Sequence, residues 1–514
     1  KESAFIMRKQ TKLVAVLSAA ALPAVGASMT SFAAGWAQED GSWVYLDRDG
    51  DRVTEEWKKS GSNYYWLDED GYMATNMLVE DDDDHYYVNE NGVRVTNQWV
   101  NVDNEDGDEV DGKEVDVLWY YMGSSGKAYK ATGTNEFKNT TIEGKRYLFD
   151  EDGRMVSGWT YTDDGATYYL GDQNEGWAYT GWQYLEIDED NMASPNDDYD
   201  SEAWFNFKSN GKARKDTRDY VEGYYYTFDE NGVMQDEWLI GTPGTSESDT
   251  ASPNRAYYKT ESGYQKTGWV YTFENNDEEG DEAWFYLINS KKGAAFNYNG
   301  NASDENATVT KYINGNEADS NKDHVAAKVI KGKTYLFDSK GKMQTGVFEV
   351  TGVVPREGGS GDLEAGIYYF NKDGGSVNGQ METGKTTIEY DGENYVYYFK
   401  GDGTAYTNVI KDSCLYDAYG VRVEAEDGNS YAAYNVSDIA GKVVEVNNKE
   451  YTQGTMIISA SGKVKKSGTA TIDGVKYEID DYFVTKAYDK EDDNKTDNTD
   501  FYNKTVYTTI GSEE

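Results

Sequence analysis

A chain of 514 residues with 45 Tyr, 13 Trp and 53 Gly, but only 38% apolar residues, cannot build a conventional aliphatic core. Rings must supply much of the buried area, each covering about 150–250 Å². A formal charge of −45 excludes nucleic acid, whose phosphates need Lys and Arg, and docking on an anionic membrane surface. The lone cysteine, Cys414, excludes an intrachain disulfide, so repetition or size must hold the chain together.

The first element is a targeting segment. Arg8, Lys9 and Lys12 form a basic head, residues 13–25 are small and aliphatic, and Ser31-Phe32-Ala33 fits a small-x-small cleavage site. That order predicts a signal peptide over 1–33. Lys1 to Ile6, ahead of the candidate initiator Met7, read as an extension foreign to the native chain. No later stretch is apolar for long enough to span a bilayer.

From residue 34 a repeat governs the chain. Trp36, Trp57, Leu78 and Trp99 stand 21 residues apart, and Gly50, Gly71 and Gly92 keep that interval. Between them lie Trp43-Val44-Tyr45, Tyr64-Tyr65-Trp66 and Tyr86-Tyr87, and alternating aromatic and β-branched residues predict strands. Asp47-Arg48-Asp49-Gly50, Asp68-Glu69-Asp70-Gly71 and Asn89-Glu90-Asn91-Gly92 end in the dipeptides that accept the positive φ of tight hairpins. Each unit is predicted to be a hairpin with a connecting loop. One hairpin is marginal in water, whereas stacked hairpins share a core. The expected fold is all-β, an elongated tandem β-hairpin solenoid.

The pattern runs on to residue 424 with looser spacing, through Trp119-Tyr120-Tyr121, Tyr147-Leu148-Phe149, Trp204-Phe205, Trp284-Phe285-Tyr286 and Tyr397-Tyr398-Phe399. Surplus residues at 102–117, 186–201, 241–255 and 297–323 are acidic, polar or Asn-rich and read as surface loops. Beyond residue 424 the aromatic signal fades. Residues 425–514 read as a degenerate β-repeat region with an acidic tail, of which 489–500 is a charged, mobile stretch.

Gly35-Trp36, the aromatic strand, Asp-x-Asp-Gly and the 21-residue period together resemble the choline-binding, or cell-wall-binding, repeats of Gram-positive surface proteins. Residues 143–155 with Gly158-Trp159 look much like a related variant, the glucan-binding repeats of secreted glucosyltransferases. The resemblance covers roughly residues 35–423 and implies a hairpin superhelix with choline held between successive hairpins in aromatic cages. Carried onto this chain, it implies cages of Trp36 with Trp43 and Tyr65, Trp99 with Trp119, Trp182 with Trp204, and Trp269 with Trp284. The chain departs from the pattern where Leu78, Phe137 and Val347 replace the first tryptophan, and where Tyr64 and Ala166 replace the strand tryptophan.

Choline carries a fixed positive charge without N–H donors, which suits ring faces. Glucan would instead stack its sugar faces on the same rings. The acidic run Glu80-Asp81-Asp82-Asp83-Asp84 reads as a solvated loop, and the Asp-x-Asp-Gly turns lack the spacing of an EF-hand, so no metal site is expected. The two histidines, His85 and His324, lie in no catalytic motif. The expectation is a non-enzymatic, cofactor-free secreted protein, attached noncovalently to the cell wall through choline-bearing teichoic acid or another envelope polysaccharide. A glucan-binding adhesin and a structural spacer presenting the C-terminal region are the alternatives.

Overall fold

Aromatic strands pair in twos along the chain. In the computed structural model, antiparallel hairpins join Gly35–Glu39 to Ser42–Leu46, Glu56–Ser60 to Asn63–Leu67, Met77–Asp81 to Asp84–Val88 and Gln98–Asp103 to Val117–Met122. Lys138–Ile142 with Lys145–Phe149, Trp159–Tyr161 with Thr167–Tyr169, and Gly181–Glu186 with Glu202–Phe207 continue the series. The structure describes residues 34–188, 190–192, 201–239, 256–258, 262–274, 282–288, 295–297, 308–313, 316–317, 323–372, 379–426 and 428–510. The predicted signal segment 1–33 and the insertion 241–255 lie outside the described residues. The chain divides into two units, Lys1–Asp219 with Phe228–Met234, and Tyr220–Thr227 with Gln235–Glu514. Among the described residues there is no α-helix, only 3-10 turns such as Val436–Asp438.

The turn chemistry differs from the sequence expectation. The tight hairpin corner lies between the tryptophan strand and the aromatic strand, where Asp40 and Gly41 both take positive φ, at 51° and 87°. Glu143-Gly144 and Asp111-Gly112 repeat it. Asp-x-Asp-Gly is instead a wider side-chain-built turn after the aromatic strand. Asp47 Oδ1 accepts the backbone N–H of Asp49 at 2.8 Å and of Asp51 at 2.9 Å. Asp68, Asn89, Asp150, Asp229, Asp338 and Asp417 do the same two and four residues ahead. The leading Asp or Asn of the motif thus acts by capping backbone donors. Only the closing glycine uses the left-handed region.

After each such turn a short third segment joins the hairpin to the one before it. Met73 N donates to Trp43 O at 2.7 Å, Arg94 N to Tyr64 O at 2.9 Å, Ala128 N to His85 O at 2.8 Å, and Met155 N to Trp119 O at 2.8 Å. The turn glycine presses onto the preceding hairpin's short segment: a Cβ on Gly71 would lie 2.8 Å from Arg52 Cβ and 3.2 Å from Val53 O. Glycine is therefore required twice there, by φ and by space. Val44, Leu67, Val88, Met122, Phe149 and Leu170, one from each successive hairpin, are all fully buried.

Two insertions expected to be loops form strands. Within 102–117, Glu109–Val110 pairs with Lys113–Glu114, and Val110 is buried in the core. Within 297–323, Thr308–Ile313 pairs with Gly346–Val350 and contributes buried Val309. The second unit there departs from simple hairpins. Asp323–Ile330, Lys333–Asp338, Gly346–Val350 and Gly366–Phe370 share one sheet, and Arg356–Glu357 adds a parallel partner. The signals were present, Asp111-Gly112 as a turn and alternating Thr-Val-Thr at 308–310, but the polar composition around them masked both.

Past residue 424 the core becomes aliphatic: Val436, Ile439, Val444, Met456 and Ile458 are buried around Leu415 and Phe483. The charged stretch 489–500 differs from its expected mobility. Asn498 N donates to Ala487 O at 2.7 Å, and Asp497 Oδ1 accepts from Ala487 N at 3.1 Å. The chain then buries Tyr502 and adds Val506–Thr509 to the sheet edge at Lys449–Gln453.

One turn carboxyl sets a pH dependence. Burial raises the pKa of Asp417 to about 6, despite the lowering effect of two accepted backbone N–H bonds. The folded state therefore holds a proton that the unfolded chain releases near pH 4, so stability falls as pH rises from about 4 to 6. Asn89 fills the same role as a neutral side chain. Asp417→Asn is expected to stabilise the second unit by about 1–3 kcal/mol at pH 7.5 and by nothing at pH 4. Thermal unfolding at the two pH values checks it.

Candidate cation cages between hairpins

The first-strand tryptophans Trp36, Trp99 and Trp269 each meet two ring sets. One is its cross-strand partner: Trp36 lies opposite Tyr45, Trp99 opposite Tyr121 and Trp269 opposite Tyr286, at centroid separations of 5.4, 5.2 and 5.2 Å. The other is a ring from the next hairpin: Tyr65 for Trp36 at 5.3 Å, Tyr147 for Trp99 at 4.8 Å, and Tyr335 for Trp269 at 4.8 Å. Side chains two residues apart on a strand share a face. That places Trp43, Trp119 and Trp284, each two residues before the cross-strand tyrosine, diagonally beside the first tryptophan.

Three of the four expected tryptophan pairs meet at nearly right angles. Trp99–Trp119, Trp182–Trp204 and Trp269–Trp284 have centroids 6.4, 6.4 and 6.1 Å apart and interplanar angles of 79°, 82° and 89°. Perpendicular indoles make a corner, and a compact cation seated in it can lie within about 6 Å of both ring centroids. These six indoles are half-buried or exposed, with Trp204 at 42% exposure. Trp36 touches Tyr65, but no ring contact joins Trp36 to Trp43 among the described residues.

A methionine accompanies two of these corners. Met155 belongs to the cluster holding Trp99, Trp119 and Tyr147, and Met343 to that holding Trp269 and Tyr335. Met73 is hydrogen-bonded to the backbone of Trp43. All three follow a turn glycine by two positions, as does Met234 after Gly232. This Gly-x-Met spacing, legible in the sequence, is the signal that the candidate list of indoles left out, together with Tyr147 and Tyr335 as third walls.

Other positions are closed. Trp159 and Trp238 are buried, and each indole N–H donates to a carbonyl, Glu186 O at 3.0 Å and Phe273 O at 2.8 Å. Phe205 and Phe285 stand against them, both at 4.8 Å, where the open corners have tyrosine. The register puts buried Thr167, not Ala166, at the strand-tryptophan position of the Trp159 hairpin. Near Leu78, the acidic run is a structured corner: Asp82 and Asp83 take positive φ, and Asp84 pairs with Lys127 and Lys130. Among the described residues no cluster of three or more acidic, His or Cys side chains is placed to hold a metal, and no helix is long and apolar enough to cross a membrane.

Two family models, each described as a choline-binding repeat, match residues 51–93 and 139–182. A search of curated proteins finds no match. Among solved structures, the modular autolysin LytC from Streptococcus pneumoniae is similar at 18% identity over 60% of this chain, with a TM-score of 0.33. The match spans about half, 52%, of the LytC chain. Choline binding protein F from the same organism is 18% identical over 77% of this chain and 100% of its own, with a TM-score of 0.27. The choline-binding domain of CbpL, also from S. pneumoniae, is 28% identical over 40% of this chain and 98% of its own, with a TM-score of 0.16. Most strands of the chain pair as antiparallel hairpins, and two of its stretches, 51–93 and 139–182, match choline-binding-repeat models.

Proposed function

We propose that this protein is a secreted, non-catalytic surface protein that holds choline groups of a cell-envelope polymer, such as a teichoic acid, in aromatic corners between successive hairpins. The observation that carries the reading is the recurrence of one arrangement at Trp99–Trp119 and Trp269–Trp284: perpendicular indoles, a tyrosine from the next hairpin and a methionine two residues after its turn glycine. Trp182–Trp204 supplies a third perpendicular pair, and Trp36, Trp43 and Tyr65 a fourth candidate site. Each ring–cation contact contributes about 0.5–2 kcal/mol, so single sites bind weakly. Several sites on one chain meeting many cholines on one polymer raise the overall affinity. The region 34–424 would supply the sites, and 425–514 would be a terminal β region of separate role.

A second reading has its own support. Tyr184 lies tilted beside Trp204 and Tyr271 beside Trp284, both at 5.2 Å, and the two tyrosines are about half exposed, at 48% and 51%. Such outward platforms suit the faces of sugar rings, as in a glucan-binding adhesin. Passing the purified chain over a choline-type resin and over insoluble α-glucan separates the two. Retention on the resin with release by free choline is the expected result. Retention on glucan alone would replace the first reading with the second.

A further inference from the structure

We propose that Arg94 is an internal ligand, occupying the aromatic cage of Trp57, Tyr64 and Tyr86 in place of an external cation. Its guanidinium carbon lies 4.1 Å from the Tyr64 ring centroid, 5.3 Å from Trp57 and 5.7 Å from Tyr86. These three rings correspond, position by position, to an open corner. Trp57 lies opposite Trp66 as Trp99 lies opposite Tyr121. Tyr64 stands two residues before Trp66, as Trp119 does before Tyr121. Tyr86 of the next hairpin meets Trp57 at 5.1 Å, as Tyr147 meets Trp99 at 4.8 Å. Arg94 N donates to Tyr64 O just as Met155 N donates to Trp119 O. Where the corners of Trp99 and Trp269 carry Met155 and Met343, this one carries a cation pointed into the cage.

No carboxylate or side-chain hydrogen bond among the described residues accounts for its position. Arg52, Arg154, Arg214 and Arg422 each pair with a carboxylate, whereas Arg94 has no ion pair among the described residues, in a chain of net charge −45. Its Nε is buried without a hydrogen-bond partner. Rings therefore supply its counter-surface, in keeping with the weak hydration of guanidinium and its stacking on aromatic faces. The side chain is also held from outside. A Cβ on Gly126 of the following turn would lie 2.7 Å from Arg94 Nε, so that turn closes over the plug.

The inference rests on reading the cages as cation sites, and its test separates the two. Bound choline per chain is counted by equilibrium dialysis of labelled choline against the full protein, Arg94→Met, and Arg94→Met with Tyr64→Ala. Methionine is chosen because Met73, Met155 and Met343 occupy the sister positions. The expected result is one additional choline in R94M, lost again in the double variant. An unchanged count in R94M, or a gain that survives Y64A, overturns the plug. If the native chain binds none and R94M binds one, the plug stands and the reading of the open corners falls. If neither binds, both fall. Should R94M lose the native near-UV circular dichroism, Arg94→Ala carries the same comparison.

Discussion

Alanine in place of Gly211 is expected to destabilise the first unit by about 2–5 kcal/mol, although it adds only one methyl group. Gly211 has φ of +81°, and a Cβ there would lie 2.6 Å from Ala178 Cβ and 3.4 Å from Tyr168 Cδ1. A left-handed alanine costs about 1–3 kcal/mol on its own. The steric part cannot relax by rotating a side chain, because the atom it strikes is the β-carbon of the preceding unit's short segment. Gly144 is the control. It has φ of +82° but no atom within 4 Å of its added Cβ, and asparagine tolerates that conformation, so Gly144→Asn is expected to cost under about 1 kcal/mol. Hydrogen exchange in Thr167–Tyr169 and Glu202–Phe207 reads both variants. Equal costs would mean that the turn glycines serve only their own turns and not the contact between neighbouring hairpins.

The second large effect separates binding from folding. Trp99 packs against Trp119, Tyr121, Tyr147 and Phe149. Trp99→Ala is expected to remove its cage and also to cost about 3–5 kcal/mol of stability. Trp204, at 42% exposure, has ring contacts only with Trp182 and Tyr184 among the described residues. Trp204→Ala is expected to leave unfolding within about 1 kcal/mol of the native value while abolishing choline uptake at that site. Calorimetric unfolding paired with choline titration reads both. If W204A binds as the native chain does, Trp204 is merely an exposed ring.

Much of this was legible because the repeat writes itself in residue types that few other folds use. The 21-residue interval of Trp36, Trp57, Leu78 and Trp99 announced stacked hairpins, and the pairs Trp99–Trp119, Trp182–Trp204 and Trp269–Trp284 do meet. The turns were misplaced because Asp-Gly serves two geometries. Asp40-Gly41 is the tight corner, while Asp49-Gly50 closes a wider turn capped by Asp47. Position in the period, rather than the dipeptide, distinguishes them. Trp159 and Trp238 look in sequence like cage tryptophans, yet the phenylalanines facing them and the carbonyls receiving their N–H groups close those sites. A third wall arrives from the next unit at variable distance in the chain, so Tyr147 and Tyr335 become assignable only once hairpins are seen to stack. Arg94 was invisible for the same reason: its three rings come from two hairpins.

Counting labelled choline bound per chain, in the native protein and in a triple variant with Trp119, Trp204 and Trp284 all changed to alanine, bears most directly on whether upright indole pairs seat a quaternary cation. The account expects saturable uptake by the native chain and a loss of three cholines in the variant, with far-UV circular dichroism unchanged. Native-level uptake by a folded triple variant would contradict it.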